Sequence, residues 1–181
     1  WTGIDPEAQL ALMAELVGMV EAGSLRPAAP EIRPLDGAVE AVSLGEGATP
    51  LLRPVALGAR IGIPRLLVKD EGLNPTGTFK ARGASCGISM ARALGIEEVA
   101  LPSAGNAGGA WACYGAAGGI KVHVAMPRDA PLPNRLECEL YGAELTLVDG
   151  LISDAGKVIA EGSAEHGWFD ASTLREPYRI E

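Results

Sequence analysis

From residue 66 onward, short apolar runs alternate with longer stretches whose small and apolar residues recur at helical spacing. The pattern predicts strands at 66–68, 99–101, 121–126, 144–148 and 168–170. Between them it predicts helices at 78–94, 106–117, 134–141 and 153–165, with a loop at 127–133. Gly95, Gly118-Gly119 and Gly142 follow three of these helices, where a left-handed C-terminal cap is needed. Ala155, Ile159 and Gly162 share one face of the last helix, and His123 alternates with Val122 and Val124 as a strand residue. Such alternation predicts an α/β fold, a parallel sheet with right-handed crossovers. Upstream the pattern changes. A helix is expected between Asp5-Pro6-Glu7 and Gly23, and residues 26–54, rich in Pro and Gly, read as an extended connector.

Composition narrows the class. The 181 residues are 48% hydrophobic and only 4% aromatic, with 24 glycines, which suits small-residue helices lying close on a sheet. A net charge of −8 argues against nucleic acid and against anionic membrane surfaces. The apolar run at 10–20 is too short to span a bilayer and is broken by Glu15; no basic region precedes it as in a secretory signal. Cys86, Cys113 and Cys138 are odd in number and lack metal-ligand spacing, so buried reduced thiols in a cytoplasmic protein are expected. Two histidines, His123 and His166, cannot make a His-rich metal site, and no metal is expected. The chain opens on Trp1, which reads as a processed or cut N-terminus.

Two segments carry candidate chemistry. In Asn74-Pro75-Thr76-Gly77-Thr78-Phe79-Lys80-Ala81-Arg82-Gly83, turn signals precede a helix that Thr78 can cap, with Lys80 in its first turn. A helix N-terminus is a poor place for a cation. The same position favours the neutral amine that Schiff-base chemistry uses. An exposed lysine covering the helix end is the plainer reading of this segment alone. The second segment, Ser103-Ala104-Gly105-Asn106-Ala107-Gly108-Gly109, follows a strand and opens a helix, where backbone amides converge on an anion. For a glycine-rich turn alone, a tight βα turn with close helix–sheet packing is the commoner reading. Its glycines fit neither the dinucleotide fingerprint nor the triphosphate loop.

Taken together, "NPTGTFKARG" and, 23 residues after its lysine, "SAGNAGG" resemble the fold-type II pyridoxal phosphate enzymes, most of all the threonine synthases. "SLGEGATPL" at 43–51, "VKDEG" at 68–72 and "STLREPYRIE" at 172–181 extend the resemblance from Ser43 to the last residue. It implies the small domain of that fold, a three-layer parallel sheet flanked by helices, at 77–170. Residues 1–76 and 171–181 would then belong to an incomplete second, large domain. It implies pyridoxal 5'-phosphate as cofactor, Lys80 as its Schiff-base lysine, and Asn106 on the cofactor's phenolic oxygen. Ser103, Gly105, Asn106 and Ala107 would receive the substrate carboxylate. Lys69, Ser172, Thr173 and Arg179 are the candidates for the substrate phosphate.

The implied activity is a carbon–oxygen lyase converting O-phosphohomoserine and water to threonine and phosphate, in an enzyme that is homodimeric at full length. A serine/threonine dehydratase or a cysteate synthase-like enzyme is the alternative within the class; a non-catalytic α/β binding or partner protein is the alternative outside it. Two departures bear on the substrate: threonine synthases commonly have an acidic residue where Ala81 stands, and the loop here runs Ala107-Gly108-Gly109. Family members are about twice as long and carry the cofactor-phosphate loop in their C-terminal half. The 181-residue chain is therefore expected to be inactive alone.

Overall fold

The computed structural model describes residues 41–173 and 175–178. The helix expected before Gly23 and Arg179 lie outside the described residues. The chain enters through β1 (Leu51–Leu52), α1 (Val55–Arg60) and β2 (Val68–Lys69), then two 3₁₀ turns, Glu71–Leu73 and Pro75–Gly77. Regular alternation follows: α2 (Lys80–Ala93), β3 (Glu98–Pro102), α3 (Asn106–Gly118), β4 (Lys121–Pro127), α4 (Leu132–Leu140), β5 (Glu144–Val148), α5 (Ile152–His166) and β6 (Phe169–Asp170). The four-stranded sheet has the order β5-β4-β3-β6, all parallel.

Strand period decides which side chains meet which layer. Val99, Leu101, Val122, Val124 and Met126 join Trp111, Tyr114, Ile88 and Cys138 in the main core. The alternate residues Ala100 and Ala125 pack with Ala155 and Ile159 of α5 on the other face. Helix α3 is apolar nearly all round, with every residue from Gly108 to Gly115 buried. Such a helix belongs inside a fold; here it packs on β4 and between α2 and α4. Gly115 makes that close approach possible, since a Cβ there would meet Val122 Cγ2 at 2.2 Å. The result is the expected three-layer α/β arrangement. His123 is a buried strand residue as expected, bonded to Glu98 at 2.6 Å and stacked on Trp168.

Three differences from the pattern reading have physical causes. The apolar run expected at 66–68 does not start the parallel sheet: Val68 and Lys69 pair antiparallel with Leu52 and Leu51 in a separate two-stranded sheet. A run of so few residues does not encode its partner. Helix α1 forms without a capping side chain, so nothing local announced it. Helix α4 begins at Leu132, ahead of the expected 134, because Pro133 lies in its first turn, where a missing N–H costs nothing. The glycine caps Gly95, Gly119 and Gly142 take the left-handed conformation as expected, and Gly167, which the pattern did not single out, does the same after α5.

Candidate active site

The sheet's topology creates a crevice. From β3 the chain crosses to α3 on one face and continues outward to β4 and β5; α5 then returns across the other face to place β6 on β3's free side. In open parallel sheets ligands bind outside the carboxyl ends of strands where the order reverses in this way. Ser103 directly follows β3 at that edge, and its N–H extends the ladder to the Ala125 carbonyl at 3.0 Å. Residues 171–173 leave the neighbouring strand β6 at the same edge, with Ala171 N–H on the Ala100 carbonyl at 2.8 Å.

The Ser103 hydroxyl organises the loop. It accepts from the N–H groups of Gly105 (3.2 Å) and Gly108 (2.9 Å) and donates to the Gly105 carbonyl at 2.9 Å. These three bonds use the full capacity of a hydroxyl. Gly105 caps α3, and the amides of Asn106 and Ala107, the first two of the helix, have no acceptor among the described residues. They point out of a helix N-terminus, where an anion is favoured. The Asn106 side chain is exposed and makes no hydrogen bond among the described residues.

Lys80 opens α2, and its N–H is accepted by Thr78 Oγ1 at 3.2 Å, the capping role expected of Thr78. Of the four lysines, Lys69 donates to the Thr49 carbonyl, Lys121 pairs with Glu144 at 2.8 Å, and Lys157 with Asp154 at 2.7 Å. Lys80 has no ion pair or hydrogen bond at Nζ among the described residues; the ammonium lies 4.5 Å from the Phe79 ring centroid. The Pro75–Gly77 turn before it packs on α3, and so does α2. The two motif segments are thus brought against one helix. Inside that turn Thr76 has a left-handed backbone, φ 62°, and a buried hydroxyl with no hydrogen-bond partner among the described residues.

Around this pair run two polar networks that pattern reasoning missed. Glu71 accepts from Arg82 Nε (2.6 Å) and Nη2 (2.9 Å), from Thr49 Oγ1 (2.6 Å) and from Asn74 Nδ2 (2.8 Å). Asn74 Oδ1 in turn accepts the Gly47 N–H at 3.0 Å. Hydrogen bonds from Arg82 and Thr49 hold the Glu71 carboxyl down at about 2. In the second network, Glu46 accepts from Tyr114 OH (2.5 Å) and Ser85 Oγ (2.7 Å). Burial raises the Glu46 carboxyl, but the bonds from Tyr114, Ser85 and the Leu44 N–H outweigh it, leaving it at about 2. Burial and the same carboxylate push Tyr114 upward. These networks fasten the 45–50 segment to α2 and α3. Their members lie up to 68 residues apart, so no local signal could have found them.

The remaining candidates are distributed. Lys69 lies on β2, its ammonium engaged by Thr49. The Ser172 hydroxyl and N–H both bond Asp170 Oδ1. Ser172 and Thr173 line a shallow cavity with Lys157 and Arg175 on the α5 side of the sheet. Cys113 and Cys138 are buried, with Cys138 pushed up by burial to about 12, while Cys86 is exposed on the outer face of α2, contrary to the expectation of three buried thiols. No group of His, Cys, Asp or Glu among the described residues could hold a metal ion. No helix among them is long and apolar enough to cross a membrane.

The family model described as pyridoxal-phosphate dependent enzyme matches residues 42–181. The chain belongs to that family. Pyridoxal 5'-phosphate is the family's cofactor, as the lysine motif implied. The threonine synthase of Methanosarcina acetivorans is 37% identical over 143 residues, 78% of this chain and 35% of the relative. That of Synechocystis is 37% identical over 150 residues, 82% of this chain and 39% of the relative. Among solved structures, maize serine racemase is similar with a TM-score of 0.66 and 28% identity, over 73% of this chain and 40% of that one. Diaminopropionate ammonia lyase of Escherichia coli, at 22% identity and TM-score 0.67 over 76% of this chain and 44% of that one, shares the fold. The chain thus spans well under half the length of these relatives. The residues present fit the cofactor: the helix opened by Lys80 and the Pro75–Gly77 turn both pack on α3, and among the described residues Lys80 Nζ, the Thr76 hydroxyl and the Asn106 and Ala107 amides at the start of α3 are all without a hydrogen-bond partner.

Proposed function

We propose that this chain carries the lysine and carboxylate-binding half of a threonine synthase-type enzyme. The observations that support the reading are that the helix opened by Lys80 and the turn before it both pack on α3, and that, among the described residues, Lys80 Nζ has no hydrogen-bond or ion-pair partner and the Asn106 and Ala107 amides that open α3 have no acceptor. Bound pyridoxal phosphate supplies an electron sink for the charge left when a substrate proton departs. The protein's own groups do the rest. Lys80 Nζ holds the cofactor and takes and returns protons. Asn106 binds the cofactor's phenolic oxygen. The Asn106 and Ala107 amides receive the substrate carboxylate, with Gly105 admitting its approach. Ser103 acts by holding that loop, since its hydroxyl is fully used within it.

The named threonine synthases support O-phosphohomoserine as substrate, with water added and phosphate released. Ser172, Thr173 and Arg179 are the groups for its phosphate, Ser172 by releasing Asp170; Lys69 joins them only by releasing Thr49. In this reading residues 77–170 form the small domain, residues 1–76 and 171–181 belong to the large one, and the full-length enzyme is a cytoplasmic homodimer. A second reading is a dehydratase-type reaction on serine or threonine; the likeness to serine racemase supports it only in naming serine as a substrate of a similar protein. The test uses the protein at the length of its curated relatives. Equal amounts of threonine and phosphate from O-phosphohomoserine support the first reading. A 2-oxo acid and ammonia from serine or threonine, without phosphate release from O-phosphohomoserine, supports the second. Neither activity in a cofactor-loaded protein contradicts both.

A further inference from the structure

We propose that Glu71 is the positioning residue of the lysine, one carboxylate clamping both flanks of the segment that presents Lys80; the inference rests on the role assigned to Lys80 above. The first flank is Asn74, six residues before the lysine. It is 5% exposed and donates to Glu71 Oε2 and to the Glu71 carbonyl. The second is Arg82, two residues after it, which grips both Glu71 oxygens through Nε and Nη2. Thr49 adds a fourth donor, so the carboxylate's acceptor sites are filled. Asn74 also accepts from Gly47, which ties the lysine segment to the 45–50 loop.

An exposed ion pair alone would contribute little. Here the Glu71 side chain is only 24% exposed, and the arginine contact is bidentate within a larger network. Helix α2 has no acidic residue in its first turn and carries both Lys80 and Arg82 there, against its dipole. Glu71 supplies the missing negative charge from outside the helix. Between the two flanks lies the strained point of the segment, Thr76, with its left-handed backbone and a hydroxyl that has no hydrogen-bond partner among the described residues. Such conformations persist where their surroundings over-determine them. Releasing either flank lets the Thr76 turn relax and carries Thr78, the cap of the lysine's own N–H, with it.

The experiment compares wild type with Glu71→Gln, which keeps the shape and removes the charge. Three quantities are measured on the 181-residue chain: amide hydrogen exchange by peptide, urea unfolding, and the distribution over the four lysines of pyridoxal phosphate fixed by borohydride. The clamp predicts exchange at 74–80 faster by about tenfold, as loss of one charge-assisted bond implies, with β3 and β4 unchanged. It also predicts that Lys80 loses its share of label to Lys69, Lys121 and Lys157. Unchanged exchange at 74–80, or an equal rise across the sheet, overturns it. If Glu71→Gln does not fold, Arg82→Lys keeps the charge but not the fork, and the same exchange pattern is read. A wild type with no preference for Lys80 contradicts the functional reading, while the exchange pattern still decides the clamp.

Discussion

Replacing Ser103 with alanine tests how the carboxylate loop is held. The side chain is 5% exposed and makes three hydrogen bonds within the loop. Their loss does not strand every partner. The Gly108 N–H keeps the Gly105 carbonyl at 3.1 Å, and the half-buried Gly105 can reach water. The cost should therefore lie at the level of a lost helix cap, about 1–2 kcal/mol, below the upper range for an orphaned buried donor. For a domain of this size that corresponds to a fall in Tm of about 2–8 °C. Urea unfolding followed by circular dichroism should give a lower midpoint at unchanged slope. Hydrogen exchange should show the amides at 105–108 opening first. An unchanged midpoint together with unchanged exchange would mean that the hydroxyl does not hold the loop, and Ser103 would return to the groups available to substrate.

Two further predictions concern packing and pH. Gly115→Ala sets a Cβ 2.2 Å from Val122 Cγ2 and 3.0 Å from the Ile120 carbonyl, so overpacking exceeds the helix-propensity gain and stability should drop by about 1–2 kcal/mol. Gly156→Ala in α5 meets nothing within 4 Å and should instead stabilise by up to about 1 kcal/mol; equal effects in urea unfolding would refute the packing argument. Glu46 and Glu71 fall from 4.5 to about 2 on folding, so their stabilisation is complete above about 4.5 and disappears as pH falls toward 2. Glu137, raised by burial, opposes them weakly. The urea midpoint should be level near neutrality and decline below about pH 4.5; a midpoint that rises on acidification would contradict the assignment.

The sequence disclosed the βα units because each has its own local markers. Gly95, Gly119, Gly142 and Gly167 end helices in the left-handed conformation that few other residues adopt, and β3, β4 and β5 are apolar runs between them. It also disclosed Thr78 as a cap, since that bond spans two residues. It did not disclose the pairing of Val68 with Leu52, or α1, because two exposed residues and an uncapped six-residue helix carry no periodic signal. The Glu71 and Glu46 networks were invisible for another reason. Apart from the local Asn74–Glu71 and Leu44–Glu46 bonds, each is assembled by the fold from segments 11 to 68 residues apart, and an isolated Glu or Thr in a loop carries no mark of its partner. The resemblance singled out the segments at 43–51, 68–72 and 74–83. The structure supplies a physical link among them, since Thr49, Glu71, Asn74 and Arg82 are members of one hydrogen-bonded group.

The central claim is that Lys80 is the amine that takes the cofactor, and peptide mapping after borohydride reduction tests it most directly. Wild-type chain and Lys80→Ala are each treated with pyridoxal phosphate, reduced and digested. The variant should fold like wild type, because a cation in the first turn of α2 adds nothing favourable to the dipole. The account predicts the phosphopyridoxyl mass chiefly on the peptide containing Lys80, at concentrations where Lys69, Lys121 and Lys157, all engaged by carbonyl or carboxylate partners, are little modified. In Lys80→Ala the total label should fall to the level of those three. Label spread evenly over the four lysines, or undiminished in the variant, would contradict it.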